Sequence, residues 1–352
     1  MSQHLDEVPG PGLTYRDAGV DVDAQDEALR RVRDAVRASF TPGVLGDFGL
    51  FGGLFDPARV GCGDAVLVAS ADGVGTKLDV AKRAGVHDGV GRDLVHHCIN
   101  DILVQGVRPL FFMDYVGTGV LDPAVVSDLI RGCANACRDH GLALLGGETA
   151  EMPGLYAPGD FDLVGFIVGA VARERVLDGS RVAPGQELLG LASSGLHTNG
   201  YSLARRVVFD TLGLTLDDRP DELGGATVGE ALLEPHRCYL ELAWPLLEAD
   251  RLAAMAHITG GGIPGNLCRV LGSTDAVVDR SAWEPPGLFR LLVEGGRIET
   301  EEAYRAFNMG IGLILVVPPG ESEVVRAELE SRGERVFALG RLEPGTGAVR
   351  WK

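Results

Sequence analysis

The chain has 352 residues, enough for two domains at about 150 residues each. Hydrophobic residues make up 45% and charged residues 23%, an ordinary globular mix that excludes general disorder. With 32 basic and 50 acidic side chains the formal net charge is −18, which repels a phosphate backbone and argues against nucleic acid as the main partner. An anionic small substrate stays open where a metal and backbone N–H groups offset that field.

Taken in chain order, residues 24–39 predict an amphipathic helix with Ala28, Leu29, Val32, Ala35 and Val36 on one side. A glycine-rich loop, 43–53, follows. A buried strand over 64–70 runs into the turn Asp72-Gly-Val-Gly-Thr-Lys77. Residues 92–105 predict a helix with Leu94, Val95, Cys98, Ile99, Ile102 and Leu103 inward, Asp93, His97 and Asn100 on the other side, and Asp101 at the flank. Then come a strand (110–116), a helix (123–139), a strand ending in glycines (142–147) and a long strand (161–172). The charged, turn-rich stretch 173–186 is the best domain boundary, giving domains 1–172 and 173–352. Beyond it the pattern predicts a strand (187–194), a helix (200–212), a polar loop (213–228) and strands at 255–259 and 311–317. Strands alternating with helices imply an α/β or α+β protein of two domains.

Two further exclusions follow. The longest clean apolar run, Ile311 to Val317, is far below the ~20 residues of a membrane span. The N-terminus is acidic and polar, without the apolar segment of a secretory signal. The expectation is a cytoplasmic protein. Its six cysteines, lacking any CxxC, read as buried free thiols of a reducing compartment.

Glycine is the compositional outlier: fifty of 352 residues, about twice the usual ~7%. The glycines cluster in loops, where backbone can approach a ligand closely. In the 72–77 turn, Gly73 and Gly75 permit that approach, Thr76 and Lys77 can meet phosphate oxygens, and Asp72 can hold Mg²⁺. The spacing is neither a Walker A loop nor a dinucleotide fingerprint, and a plain β-turn explains it about as well. Asn100, Asp101 and Glu148 add oxygen ligands at element ends; the bland alternative is a solvated helix face plus a cap. Ser193-Ser194-Gly195-Leu196-His197-Thr198-Asn199-Gly200 leaves a strand and enters a helix, presenting N–H groups, hydroxyls and an amide to an anion. His197 can transfer protons there near neutral pH. His257-Ile258-Thr259-Gly260-Gly261-Gly262 repeats the strand-to-helix logic, with three glycines that packing alone rarely needs.

Together and in this order, YRDAGVDVDA (15–24), ADGVGTK (71–77), CINDILVQGVRPLFFMDY (98–115), GGETAEMPGLY (146–156), SSGLHTNGYSL (193–203), HITGGG (257–262) and FNMGIG (307–312) resemble the phosphoribosylformylglycinamidine cyclo-ligase family from about Tyr15 to the C-terminus. The resemblance implies an α+β, two-domain homodimer whose N-terminal strands pair across the two-fold axis into a barrel-like interface, with a C-terminal α/β layer. It implies ATP in the N-terminal half with Mg²⁺ on Asp72, Asp101 and Glu148, while a K⁺ requirement is left open. Gly73, Gly75, Thr76, Lys77, Asn100, Gly146, Gly147 and Glu148 would meet ATP and its phosphates. Ser193, Ser194, Gly195, Asn199, Gly200, Thr259, Gly260 and Gly261 would line the ribonucleotide. His197 and His257 are rival proton acceptors, with His197 the first choice. Arg33, Leu50, Ala71 and Arg108 depart from the family pattern. The alternatives are another ATP-using enzyme of the superfamily, acting on a related ribonucleotide amide or as a small-molecule kinase, and a non-catalytic ATP-binding regulator. The retained Asp72, Asp101, Glu148 and His197 weigh against the last.

Overall fold

The computed structural model describes residues 12–14, 45, 53–60, 65–152 and 154–352. The expected helix 24–39 with Arg33, the 15–24 segment, Cys62 and most of the 43–53 loop, Leu50 included, lie outside the described residues.

The first sheet holds β1 (Gly53–Phe55), β2 (Ala65–Gly73), β3 (Arg108–Thr118), β4 (Ala143–Glu151) and β5 (Phe161–Ala172), in the order β1-β2-β5-β3-β4. β5 runs antiparallel to both β2 and β3, and β3 pairs parallel with β4 at the edge. One register row reads Asp72, Gly165, Asp114, Gly147 across four strands. α1 (Lys77–Ala84) follows β2, and α2 (Asp88–Leu103) and α3 (Pro123–Asp139) cover one face. α3 spans the residues its sequence predicts, because Asp122 caps its N-terminus by accepting from the Ala124 N–H and Pro123 opens its first turn. α2 and α3 cross at Gly91 and Gly132, where a Cβ on either would run into the other helix's backbone. The opposite face of the sheet leaves Met113 and Phe166 exposed, 40% and 43% accessible, beside an exposed edge strand β4.

The second sheet holds β6 (Glu187–Ala192), β7 (Ala254–His257), β8 (Thr274–Val278), β9 (Ile311–Val317), β10 (Val336–Pro344) and β11 (Val349–Trp351), ordered β11-β8-β10-β6-β9-β7. Its helices are α4 (Tyr201–Arg205), α5 (Val228–Leu233), α6 (Leu240–Glu248), α7 (Gly262–Leu267), α8 (Gly287–Gly296), α9 (Thr300–Ala306) and α10 (Ser322–Ser331). β9 is buried on both faces, so its apolar run is continuous rather than alternating. Leu313, Leu315 and Val317 pack into one core with Leu94, Ile99 and Leu103 of α2 and Leu240 and Ala243 of α6. Ile314 and Val316 pack into a second core with Leu203, Phe289 and Phe307. The two halves of the chain thus share a core, with α2 lying between the sheets.

Several expectations are corrected. β2 extends through Gly73, so Asp72 belongs to the strand and not to the turn. β4 continues past Gly146 and Gly147 to Glu151, because its ladder with β3 persists to Thr118. The 200–212 helix is a short α-turn passing into a π-helical stretch, Arg206–Thr211. Cys98, Cys133 and Cys137 are buried and free, whereas Cys238 is half-buried and Cys268 exposed. No described helix is long and apolar enough to cross a membrane.

Candidate active site

Asp93, His97 and Asp101 recur every four residues on α2 and so share one face. That face meets the C-terminal half and is buried, with Asn100 beside it. The bland alternative of a solvated helix face does not hold at Asp101, whose side chain is only 7% exposed. Four other segments bring groups to it. The end of β2 supplies Asp72, the loop after β6 supplies His197 and Thr198, the α5–α6 connection supplies His236, and the end of β7 supplies His257.

The contacts form a closed circuit. His97 Nε2 lies 2.9 Å from Asp72 Oδ2 and 3.4 Å from Asp101 Oδ2. Its Nδ1 is 2.7 Å from Thr198 Oγ1, which is 3.2 Å from His236 Nδ1. His236 Nε2 is 3.1 Å from His257 Nε2, and His257 Nδ1 is 2.8 Å from Asp101 Oδ1. Asn100 locks the wall: its Nδ2 donates to the Arg237 carbonyl at 2.7 Å, and its Oδ1 accepts from the Tyr239 N–H at 2.9 Å. His197 stacks on His236 with ring centroids 4.0 Å apart. It adopts φ +62°, a left-handed conformation that is strained for a residue with a Cβ. Gly312 makes room for it, because a Cβ there would strike the His197 ring and the Tyr239 hydroxyl. His197 Nε2 accepts from the Ser194 N–H at 3.3 Å, and its buried Nδ1 has no hydrogen-bond partner among the described residues.

Charge is sorted by these surroundings. Burial works against an imidazolium at His97, but the Asp72 and Asp101 carboxylates overcome it and raise the pKa well above the usual histidine range. Burial alone would raise the Asp101 carboxyl; the His97 charge and the hydrogen bonds from His257 and His97 hold it far below the usual range. Burial lowers His197, His236 and His257, which stay neutral at pH 7; Asp101 opposes the effect at His257.

The expected site residues divide. Asp72, Asn100, Asp101, His197 and His257 converge. Gly73 ends β2, and Gly75 turns beside the Thr198 carbonyl. Thr76 Oγ1 is 3.1 Å from Ser202 Oγ. Lys77, expected at phosphate oxygens, points inward and is fully buried. Its Nζ is 2.7 Å from Asp93 Oδ2 and donates to the Glu234 carbonyl at 2.8 Å. Glu148 sits on the exposed edge strand, three strands from β2, roughly 14 Å at ordinary strand spacing. Within this chain it does not reach Asp72 and Asp101, and Gly146 and Gly147 lie out there with it. Ser193 Oγ bonds the Gly195 carbonyl at 2.9 Å, and Ser194 Oγ donates to the Pro235 carbonyl at 2.6 Å. Asn199 borders Gly260, so the 193–200 and 257–262 loops adjoin, and Gly200 opens α4. Asn266 ties the second loop by donating to the carbonyls of Thr259, Gly260 and Gly262, with Gly261 between them. The sequence reading missed His97, Thr198 and His236 as site residues. The four-residue spacing of Asp93, His97 and Asp101 carried a signal for the first; His236, in a loop, carried none.

Two layered sheets sharing a core, with acidic and imidazole groups converging between them, define the class. Residues 55–171 match the family described as AIR synthase related protein, N-terminal domain, and residues 183–352 match its C-terminal domain. A thiamine-monophosphate kinase structure from Stenotrophomonas maltophilia K279a shares the fold at TM-score 0.64 and 19% identity, covering 91% of this chain and 95% of that one. Phosphoribosylformylglycinamidine cyclo-ligases are much nearer. That of Anaeromyxobacter sp. (strain Fw109-5) is 49% identical over 95% of this chain and 97% of its own length. That of Sorangium cellulosum is 49% identical over 94% and 95%. The chain belongs to the phosphoribosylformylglycinamidine cyclo-ligase family.

Proposed function

We propose that the chain converts formylglycinamidine ribonucleotide to 5-aminoimidazole ribonucleotide in the cytoplasm, with release of ADP and phosphate. One observation carries this reading: the turn after β2, the Asn100-Asp101 pair, the 193–200 loop and the 257–262 loop meet in one cluster although they are far apart in sequence. ATP phosphorylates the formyl amide oxygen, which turns a poor leaving group into phosphate. The amidine nitrogen then attacks the same carbon, and ring closure within one molecule has the advantage of proximity. Domain 1–172 holds ATP, and domain 173–352 holds the ribonucleotide.

Asp72 and Asp101 are the residues that would hold Mg²⁺: each is a carboxylate with an oxygen within 3.4 Å of His97 Nε2. When bound, the ion neutralises phosphate charge during phosphoryl transfer. Gly73 and Gly75 let backbone approach the phosphates, and the hydroxyls and N–H groups of residues 193–200 hold the ribonucleotide. His257, oriented by Asp101, accepts the proton of the attacking nitrogen; His197, its rival from the sequence, lacks such an orienting partner for Nδ1.

Two copies pair through the uncovered face of the first sheet. Met113 and Phe166 are too exposed there for a lone chain, and β4 is an unprotected edge. A C₂ dimer covers both and is the setting in which Glu148 gains a role. Light scattering should give about twice the 37.1 kDa of one chain; a monomer at working concentration contradicts the pairing. The reaction itself is tested with ribonucleotide, ATP and Mg²⁺. ADP release that requires formylglycinamidine ribonucleotide, with aminoimidazole product, supports the reading, and ADP release without it sinks the reading.

A further inference from the structure

A cleft of about 500 Å³ opens at the seam between the two halves of the chain. One wall is Arg108 at the start of β3 beside its register partner Ala170 on β5. The other is Trp244 and Leu247 of α6, and Glu174 and Arg175 close it from the segment that crosses between the halves. Its volume and its place at a domain seam are those of small-ligand sites. Ala170 lies five residues along β5 from Gly165, the register partner of Asp72, so the cleft stands roughly 17 Å from that carboxylate.

Three arginines and three carboxylates line the cleft, and they do not pair off. Arg181 is held by Asp250 and donates to the Leu252 carbonyl at 2.6 Å. Glu248 accepts from Trp244 Nε1 at 2.9 Å. Arg108 and Arg175 are exposed, and neither has an ion-pair partner among the described residues. In a chain of net charge −18, two guanidinium groups left without carboxylates suit an anion from outside, since their forks match phosphate. Arg108 is also one of the positions that depart from the family pattern. Its guanidinium lies 5.3 Å from the centre of the Trp244 ring, so the two form one flat platform on which an aromatic ring can stack. Glu174, exposed at the rim and likewise without an ion-pair partner among the described residues, can accept from an amino group on that ring.

We propose that this cleft binds a nucleoside monophosphate whose base carries an amino group. The base stacks on the Arg108–Trp244 platform, the phosphate meets Arg175, and the amino group donates to Glu174. The site is separate from the histidine cluster, and its binding does not rest on the reaction proposed above.

The test uses the full chain and AMP. Of its three tryptophans only Trp244 lines the cleft, so the emission of that residue reports on the site. AMP should quench it and saturate at one per chain, and Trp244→Leu should abolish the change. Arg108→Ala and Arg175→Ala should each weaken AMP at least about tenfold, the scale of a hydrogen bond to a charged group, and leave turnover unchanged. Adenosine and inorganic phosphate, each a part of the ligand, should bind more weakly than AMP. An emission that AMP does not alter, a quench that persists in Trp244→Leu, or an AMP affinity unchanged in both arginine variants overturns the inference. Phosphate held as tightly as AMP overturns it as well, because the platform then does nothing. The arginine variants decide the matter if Trp244→Leu does not fold. A chain that binds AMP in this way and makes no aminoimidazole product fails the proposed reaction and keeps the cleft.

Discussion

His257 Nδ1 lies 2.8 Å from Asp101 Oδ1, joining two residues 156 positions apart across the boundary between the sheets. In the proposed reaction Asp101 would have two jobs that need a full negative charge: orienting an imidazole and supplying an oxygen to a cation. Asp101→Asn keeps the shape and removes the charge. It should reduce kcat at least about 100-fold, the scale on which oriented acid–base groups contribute. Circular dichroism should show a folded protein. Near-native turnover in that folded protein would remove Asp101 from the machinery.

Lys77 separates two readings of the turn after β2. As a phosphate ligand, its loss would raise the KM for ATP and leave the fold alone. Its position, fully buried against Asp93, predicts the reverse. Lys77→Met strands a buried carboxylate and should cost about 3–5 kcal/mol of stability. Replacing both residues by apolar ones should recover much of that loss. A melting temperature unchanged in Lys77→Met would return the lysine to the phosphates.

Acid should unfold this chain early. Burial holds His96 neutral down to about 4, and it also lowers His197, His236 and His257. Each is protonated in the unfolded chain near 6.5, so the unfolded state binds more protons in that window and stability falls with pH. His97 runs the other way. Its raised pKa contributes stability that is complete below the unfolded value and is lost as pH rises through the folded one. Asp101, lowered, adds stability that is lost only as pH falls through its folded value. Between pH 6.5 and 5 the neutral histidines dominate, and His96 alone accounts for about 2 kcal/mol. Denaturant titrations at pH 7, 6 and 5 should show this decline, and His96→Gln should make it shallower. A flat profile contradicts the buried neutral set.

What was legible in the sequence was local. α3 was readable to the residue because Asp122, Pro123 and a 3.6-residue apolar period all agree. β9 was readable because seven consecutive buried positions leave no other pattern. Asp72 and Asp101 were readable as acidic groups at element ends. Lys77 was misread because spacing tells which residues neighbour each other along a turn, not which way a long side chain goes once Asp93 and Glu234 arrive from elsewhere. Glu148 was grouped with Asp72 because both are acidic groups beside glycines at element ends, but strand order set them three strands apart. His236 sits in a connection with no period, and only the packing of α6 against α2 brings it into the circuit.

The two rival histidines differ in one respect that the sequence could not order. His257 has Asp101 behind it and is joined through His236 to Thr198. His197 is packed against Gly312 and Tyr239, strained at φ +62°, with a buried Nδ1 that has no hydrogen-bond partner among the described residues. A proton acceptor needs a partner that stabilises its charged form, and only His257 has a carboxylate in contact. His257→Asn should lower kcat and kcat/KM together by at least about 100-fold, with ATP binding intact. His197→Asn should relieve the strained position, because asparagine tolerates the left-handed region. Its damage should appear mainly as a raised KM for the ribonucleotide, through the disturbed 193–200 loop. Parallel kinetics on the two variants decide the order. If His197→Asn loses about 100-fold in kcat while His257→Asn does not, the roles are reversed.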